Sequence, residues 1–278
     1  MNLSYILIAF SIFSMTAYGS SIKVEPEKEE RIKKSKVNFR ASFSTSFNTD
    51  FKQFGDINKS FTNSSGLRFS LSFPGNWSLA TALFFDKSFM GERKGEVRDT
   101  FLALTKPIVK FNDYFGLTAK LNWYLPISKF SREEAYLTTA YRLALILGFD
   151  FGFWSIPNLG GYARIDILQN FHRSNTNAYG GSNYQFAVFG LGGVNWTFLK
   201  KFNIALDFSY TKRWTYAGNI QDFYSSNQTL SYSITSKFNV GIGHALGGNI
   251  LAVNGRDSNV ALFDPEQSAA FLVFSFVL

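Results

Sequence analysis

From residue 37 onward the apolar side chains recur every second residue, the spacing of a β-strand with one apolar and one polar face. In "VNFRASFSTSF", Val37, Phe39, Ala41, Phe43 and Phe47 share one face and Asn38, Arg40, Ser42, Ser44 and Ser46 the other. "LRFSLSF" sets Leu67, Phe69, Leu71 and Phe73 against Arg68, Ser70 and Ser72. "FGLTAKLNWYL" sets Leu117, Ala119, Leu121 and Trp123 against Thr118, Lys120, Asn122 and Tyr124. The same alternation opposes Leu143, Leu145 and Leu147 to Arg142 and Ala144, and Ile165 and Ile167 to Arg164 and Asp166. In "FNIALDFSYTKRW" it opposes Ile204, Leu206, Phe208 and Tyr210 to Asn203, Asp207, Ser209 and Arg213.

Two architectures use such strands. A soluble sandwich turns the apolar face inward, whereas a membrane barrel turns it outward to lipid. The apolar positions here carry Leu, Phe, Ile, Trp and Tyr almost throughout, and aromatic residues make up 18% of the chain. Trp77, Trp123, Trp196, Trp214 and Tyr216 fall near strand ends, where interfacial girdles form. The longest apolar run beyond the N-terminal leader, Leu143–Phe149, is far short of the ~18 residues a membrane helix needs. The pattern therefore predicts an all-β, transmembrane, antiparallel up-and-down barrel of about 12 strands. The expected spans are 37–47, 65–73, 77–87, 98–106, 114–126, 137–151, 161–172, 183–198, 202–216, 228–235, 238–246 and 269–278. Short connections such as "PGNW", "LKKF" and "TSKF" read as hairpin turns on the periplasmic side. Segments 48–64, 88–97, 127–136, 173–182, 217–227 and 247–268 read as extracellular loops, which puts both chain ends in the periplasm.

Residues 1–19 read as a signal peptide, with an apolar run and an Ala17-Tyr18-Gly19 cleavage pattern but no Lys or Arg ahead of it. Residues 20–36, rich in mixed Glu and Lys, read as a charged periplasmic linker, and residues 37–278 as the barrel. The absence of cysteine removes disulfides, thiolate chemistry and a lipoprotein anchor. The net charge of +8 is spread rather than gathered in one patch, so no nucleic-acid partner is expected.

The last ten residues, "AAFLVFSFVL", place Leu272, Phe274, Phe276 and Leu278 on one face. They resemble the C-terminal sorting signal of Gram-negative outer-membrane barrels, with Leu278 where that family usually ends on Phe. The resemblance implies residence in the bacterial outer membrane. It also implies contact with outer-membrane lipid and handling by periplasmic chaperones and the barrel-assembly machinery.

On this register the inward charges are Arg40, Arg68, Lys120, Arg142, Arg164 and Arg213, opposed by Asp86, Asp150, Asp166 and Asp207. They can pair and fill the barrel. Alternatively they line a narrow, porin-like channel whose basic surplus favours small anionic solutes. In size and strand number the chain resembles twelve-stranded channels specific for acidic sugars, a likeness of fold level only. The loop 247–268 contains the apolar stretches "LAVNG" and "VALF" and reads either as an inward plug or as an extracellular hairpin. A closed barrel with surface-binding loops is a further alternative.

One stretch carries potential chemistry. His172-x-Ser174-Asn175 resembles the His-x-Ser-Asn-Gly motif of outer-membrane phospholipase A, itself a twelve-stranded barrel. The resemblance implies Ser174 as nucleophile, His172 as general base, Asn183 as orienting residue and calcium-assisted dimerisation. Thr176 replaces the family's Gly, and the interval to Asn183 is shorter. His172 and Ser174 also share parity with the lumen-facing residues, which only a bulge near Phe171 would reverse, and Asn183 and Gln185 likewise lie on the polar face opposite the outward Tyr184, Phe186 and Val188. His244 has outward parity near the end of its strand, and two isolated histidines make a poor metal site, so no metal and no cofactor are expected.

Overall fold

The structure, a computed structural model, describes residues 37–52, 59–90, 93–251, 258–260, 263–264 and 267–278. The expected signal peptide and the whole of the expected linker lie outside the described residues. The strands are β1 (Asn38–Asp50), β2 (Phe61–Phe73), β3 (Trp77–Ser88), β4 (Gly95–Val97), β5 (Thr100–Lys110), β6 (Phe115–Leu125) and β7 (Leu137–Asp150). They continue with β8 (Leu159–His172), β9 (Tyr184–Phe198), β10 (Phe202–Thr215), β11 (Ile220–Ser233), β12 (Phe238–Asn249) and β13 (Ser268–Val277). Each strand pairs antiparallel with its neighbour, and β1 pairs with β13 from Ser42↔Val277 to Asp50↔Ala269, which closes the sheet. Twelve strands form the ring, and the short β4 is an addition alongside β3.

β4 and β5 are two parts of one interrupted strand. Phe85 pairs with Val97 and Ala82 with Phe101, so Arg98, Asp99 and Thr100 lie opposite only Leu83 and Phe84. That extra residue is a β-bulge, and it is why alternation fails at the start of the expected 98–106 strand. A second irregularity falls between Pro107 and Val109, where proline has no N–H to give the ladder.

The eleventh strand corrects the sequence reading. Residues 220–227, expected within a loop, belong to β11, which pairs with β10 as far as Trp214↔Ile220. Its outer positions include Ser226 and Gln228, so both faces are polar and the alternation cannot be seen. The connection from β10 to β11 is the short segment 216–219, turned by Gly218 at φ 81°.

Exposure decides between sandwich and barrel. Along β7, Leu143 and Leu145 are 48% and 49% exposed, while Arg142 and Ala144 between them are 6% and 0% exposed. The large apolar side chains face out and the charges face in, the inverse of a soluble domain. The outer aromatics form two belts. Toward the turn end, Trp196, Phe198, Phe202 and Tyr232 follow one another at centroid distances of 4.8–5.5 Å, and Phe276 stacks on Phe238 at 4.4 Å. Toward the loop end lie Trp123 with Tyr141, Phe186 with Trp214, and Phe61 with Phe89. Tyr216 does not join this belt: its hydroxyl points to the carbonyl of Asn170, whose side chain is on the inner face.

The described residues of the loop after β12 lie against the outer wall and not in the lumen. Leu251 bridges Ser258, the Tyr224 hydroxyl donates to the Asn259 carbonyl at 3.0 Å, and Phe263 stacks on His244. Tyr224 and His244 belong to the outer wall, so the described residues of this loop fold over the rim from outside.

Leu145→Arg, at mid-strand on the outer face, is expected to lower the folding stability by about 2–4 kcal/mol in lipid vesicles. Urea titration measures it, and a loss below about 0.5 kcal/mol would mean that this face does not meet hydrocarbon.

Candidate functional site

The inner wall carries nearly all of the sequence-expected charges. Lys120, Ala144, Asp166, Phe189, Thr211 and Phe223 occupy one continuous row of paired positions from β6 to β11. Arg142 and Arg164 lie one inward position to either side of that row, on β7 and β8. This register brings both guanidinium groups onto one carboxylate. Arg164 donates to Asp166 through Nε at 2.5 Å and through its second nitrogen at 2.6 Å. Arg142 donates its Nε to Asp166 Oδ2 at 2.5 Å and pairs with the same oxygen through a terminal nitrogen. Asp166 is wholly buried, so its charge is tolerable only because both partners are cationic forks.

Aromatic faces hold the arginines from the other side. Arg142 lies 4.1 Å from the Phe189 centroid. Arg213 is sandwiched between Tyr184 at 4.9 Å and Phe223 at 4.8 Å. A guanidinium stacked between ring faces keeps its charge while being held in place. Tyr184, expected to face outward, points inward because the register shifts where Trp214 pairs with Phe186 and Thr215 with Tyr184, leaving Gln185 bulged.

Toward the turn end the lumen widens into a cavity of about 980 Å³. Its wall is largely small and hydroxylated, with Ser42, Ser44, Ser70, Ser78, Thr105, Thr229 and Ser231 among the lining residues. Five basic side chains, Arg40, Arg68, Lys120, Lys200 and Lys201, line it against one carboxylate, Asp207. Asp207 accepts a hydrogen bond from the Tyr162 hydroxyl at 2.8 Å.

Two further acidic residues serve other purposes. Asp150, expected among the lumen charges, caps the turn after β7 by accepting from Gly152 N at 2.7 Å. Asp86 pairs with Arg98 at 3.2 Å, and Arg98 lies over the Phe84 ring. Arg98, Phe189 and Phe223 were not expected here. Arg98 sits in the bulge, where parity is undefined, and Phe223 falls in the expected loop 217–227.

The three candidate catalytic residues do not form a relay. His172 remains on the inner side at the loop end, with its ring edge-on to Tyr216 at 5.6 Å and Tyr184 at 6.4 Å. The register shift at this level lies in β7, where Thr138 is the extra residue opposite Phe171 and His172, and β8 itself keeps its alternation. Ser174 meets the Thr176 hydroxyl at 3.2 Å. The buried Asn183 donates to the carbonyls of Ala135 and Ser174 at 2.8 and 3.0 Å, so it stitches two loops together. Glu134 strengthens the same junction: its carbonyl accepts from Ala178 N, and its carboxylate holds the Tyr179 hydroxyl above its usual pKa by hydrogen bonding and charge. On the outer wall, His244 Nδ1 meets Gln228 Oε1 at 2.6 Å. Among the described residues no group of three or more His, Cys, Asp or Glu side chains could hold a metal ion.

No protein-family model and no curated protein sequence matches the chain. Solved structures do match it. An outer membrane channel from Pseudomonas putida F1 superposes with a TM-score of 0.58 at 11% identity, over 91% of this chain and 99% of that one. The NanC porin superposes with a TM-score of 0.56 at 14% identity, over 85% of this chain and 98% of that one. Similarity at this level of identity is a similarity of fold, and the fold of this chain is that of an outer-membrane β-barrel.

Asp166→Asn is expected to lower stability by about 3–5 kcal/mol, because it leaves two buried guanidinium groups facing each other. Adding Arg142→Gln should restore part of that loss in urea titrations. A double variant no more stable than the single one would show that the three charges are not coupled.

Proposed function

We propose that this chain is an outer-membrane channel with a narrow, anion-favouring lumen. The observation that carries the reading is the hydroxyl-lined cavity of about 980 Å³, which reaches the turn end beside Lys200, Lys201 and Thr235 and narrows to the Arg142–Asp166–Arg164 layer. Hydroxyl groups can replace part of a solute's hydration shell. The surplus of basic over acidic side chains in the same wall raises the local anion concentration and excludes cations. The fold shared with an outer membrane channel and with the NanC porin supports the reading.

The outer location is supported by the two aromatic belts and the apolar band between them. In this reading Leu272, Phe274, Phe276 and Leu278 form the outward face of the closing strand and are what the barrel-assembly machinery recognises, after periplasmic chaperones have delivered the chain. Outer-membrane lipid is the partner of the apolar band. A second reading is a sealed barrel, favoured by the Arg142–Asp166–Arg164 network and the arginine–aromatic stacks that fill the loop half of the lumen.

Single-channel recording in a planar bilayer under a KCl gradient tests both. The expected result is stepwise openings with chloride more permeant than potassium. Arg40→Gln, in the exposed part of the same wall, is expected to reduce that preference about five-fold, since a unit charge about 4 Å from the path is worth ~1 kcal/mol in water-filled surroundings. Openings that favour potassium would overturn the anion-favouring reading. A silent membrane from protein with heat-modifiable gel mobility would favour the sealed barrel.

A further inference from the structure

On the loop side of the Arg142–Asp166–Arg164 layer one guanidinium is held in place but not paired. Arg213 of β10 stands in the same row of inner positions as Arg142, with Leu168 and the wholly buried Ala187 between them. Tyr184 and Phe223 clamp it from two sides. Its Nε is buried without a hydrogen-bond partner, and Arg213 forms no ion pair among the described residues. The acidic residue beside it on β11, Asp222, lies opposite Lys212 on the outer face and accepts from the Tyr210 hydroxyl at 2.8 Å.

His172 is in the same condition. Its ring is flanked by Tyr184 and Tyr216, and its Nδ1 is buried without a partner. No described group hydrogen-bonds to the imidazole. Tyr184 touches both residues, so two unsatisfied polar heads adjoin one ring on the inner face. Buried polar groups are normally satisfied, and these two are also fixed by their aromatic neighbours, as groups prepared for a ligand are.

The lumen itself shows what completes such a guanidinium. Arg164 meets Asp166 side-on, with Nε on one oxygen at 2.5 Å and a terminal nitrogen on the other at 2.6 Å. Arg142 gives its own Nε to the same carboxylate at 2.5 Å. Arg213 offers that Nε edge with no protein carboxylate to take it. Two parallel N–H groups fit the two oxygens of a planar carboxylate, a match that a halide ion cannot make. One unpaired guanidinium carries one charge, so a monoanion balances it and a dianion does not.

We propose that Arg213 and His172 form a binding site for the carboxylate of a small monocarboxylic acid, on the loop side of the lumen. Arg213 takes both oxygens along its Nε edge, and His172 donates one further hydrogen bond. The inference rests on the channel reading and deepens it by naming the class of solute that the passage collects.

Saturation-transfer NMR of the refolded chain in detergent, read on the methyl signal of sodium acetate at fixed ionic strength, tests it. The expected result is saturable transfer that formate displaces and an equal concentration of chloride does not. Arg213→Gln should abolish it. Arg213→Lys keeps the charge, loses the fork and should weaken binding about ten-fold, roughly the worth of one charge-assisted hydrogen bond. His172→Phe keeps the ring packing and should weaken it about three-fold, the worth of one neutral hydrogen bond. Heat-modifiable gel mobility shows which variants are folded, and Arg213→Lys decides if Arg213→Gln is not. No saturable transfer, displacement by chloride as strong as by formate, or undiminished transfer in a folded Arg213 or His172 variant would each overturn the assignment. Anion-selective openings without acetate binding would sink this inference and leave the channel standing. Acetate binding in a barrel that does not conduct would do the reverse.

Discussion

Hydrocarbon offers a backbone N–H or C=O no partner, and every other feature of this molecule follows from that constraint. The chain meets it by pairing its first barrel strand with its last. From Ser42↔Val277 to Asp50↔Ala269 the two edges become one more ladder, and the sheet has no unpaired edge inside the ring. Once the ring closes, the pleat leaves each side chain two choices, lipid or lumen, and successive residues must take them in turn. The apolar alternation is the record of that choice, and the two aromatic belts mark where the lipid side ends.

The lumen obeys a different rule. Its charges cannot reach bulk water freely and must find partners across the ring, and Asp166 is where that happens. It joins Arg142 and Arg164 from adjacent strands, while Phe189, Tyr184 and Phe223 hold the guanidinium planes of Arg142 and Arg213 from the opposite side. The loop half is thereby filled by a few long, rigidly held side chains. The turn half is walled by serine, threonine and small residues and stays wide. One barrel of constant strand number thus acquires a broad vestibule and a narrow basic throat through side-chain length alone.

The loops follow the same economy. Asn183, which by sequence could have oriented a catalytic imidazole, spends its amide on two carbonyls and ties the loop after β6 to the loop after β8. The loop after β12 lays Phe263 against His244 on the outer wall and so leaves the mouth clear of its described residues.

The period-two alternation by itself determined the all-β class, the approximate strand number and spans, and the inward placement of Arg142, Arg164, Asp166, Asp207 and Lys120. These follow from local geometry: a strand has two faces and lipid accepts only one kind of side chain. Alternation failed wherever a bulge or a two-faced polar strand broke the parity, as at Arg98, at Gln185 and along β11. Only the closed ring decided which inward charges meet. Arg142 and Arg164 are 22 residues apart in the chain and share a carboxylate because the β7–β8 register sets Ala144 opposite Asp166. Asp150 and Tyr184 turned out otherwise for the same reason, since a turn cap and a bulge are properties of neighbouring strands and not of the residue itself. Parity belongs to one strand and can be read along it. A constriction belongs to side chains that converge from several strands, and their distances exist only once the sheet has curved and shut.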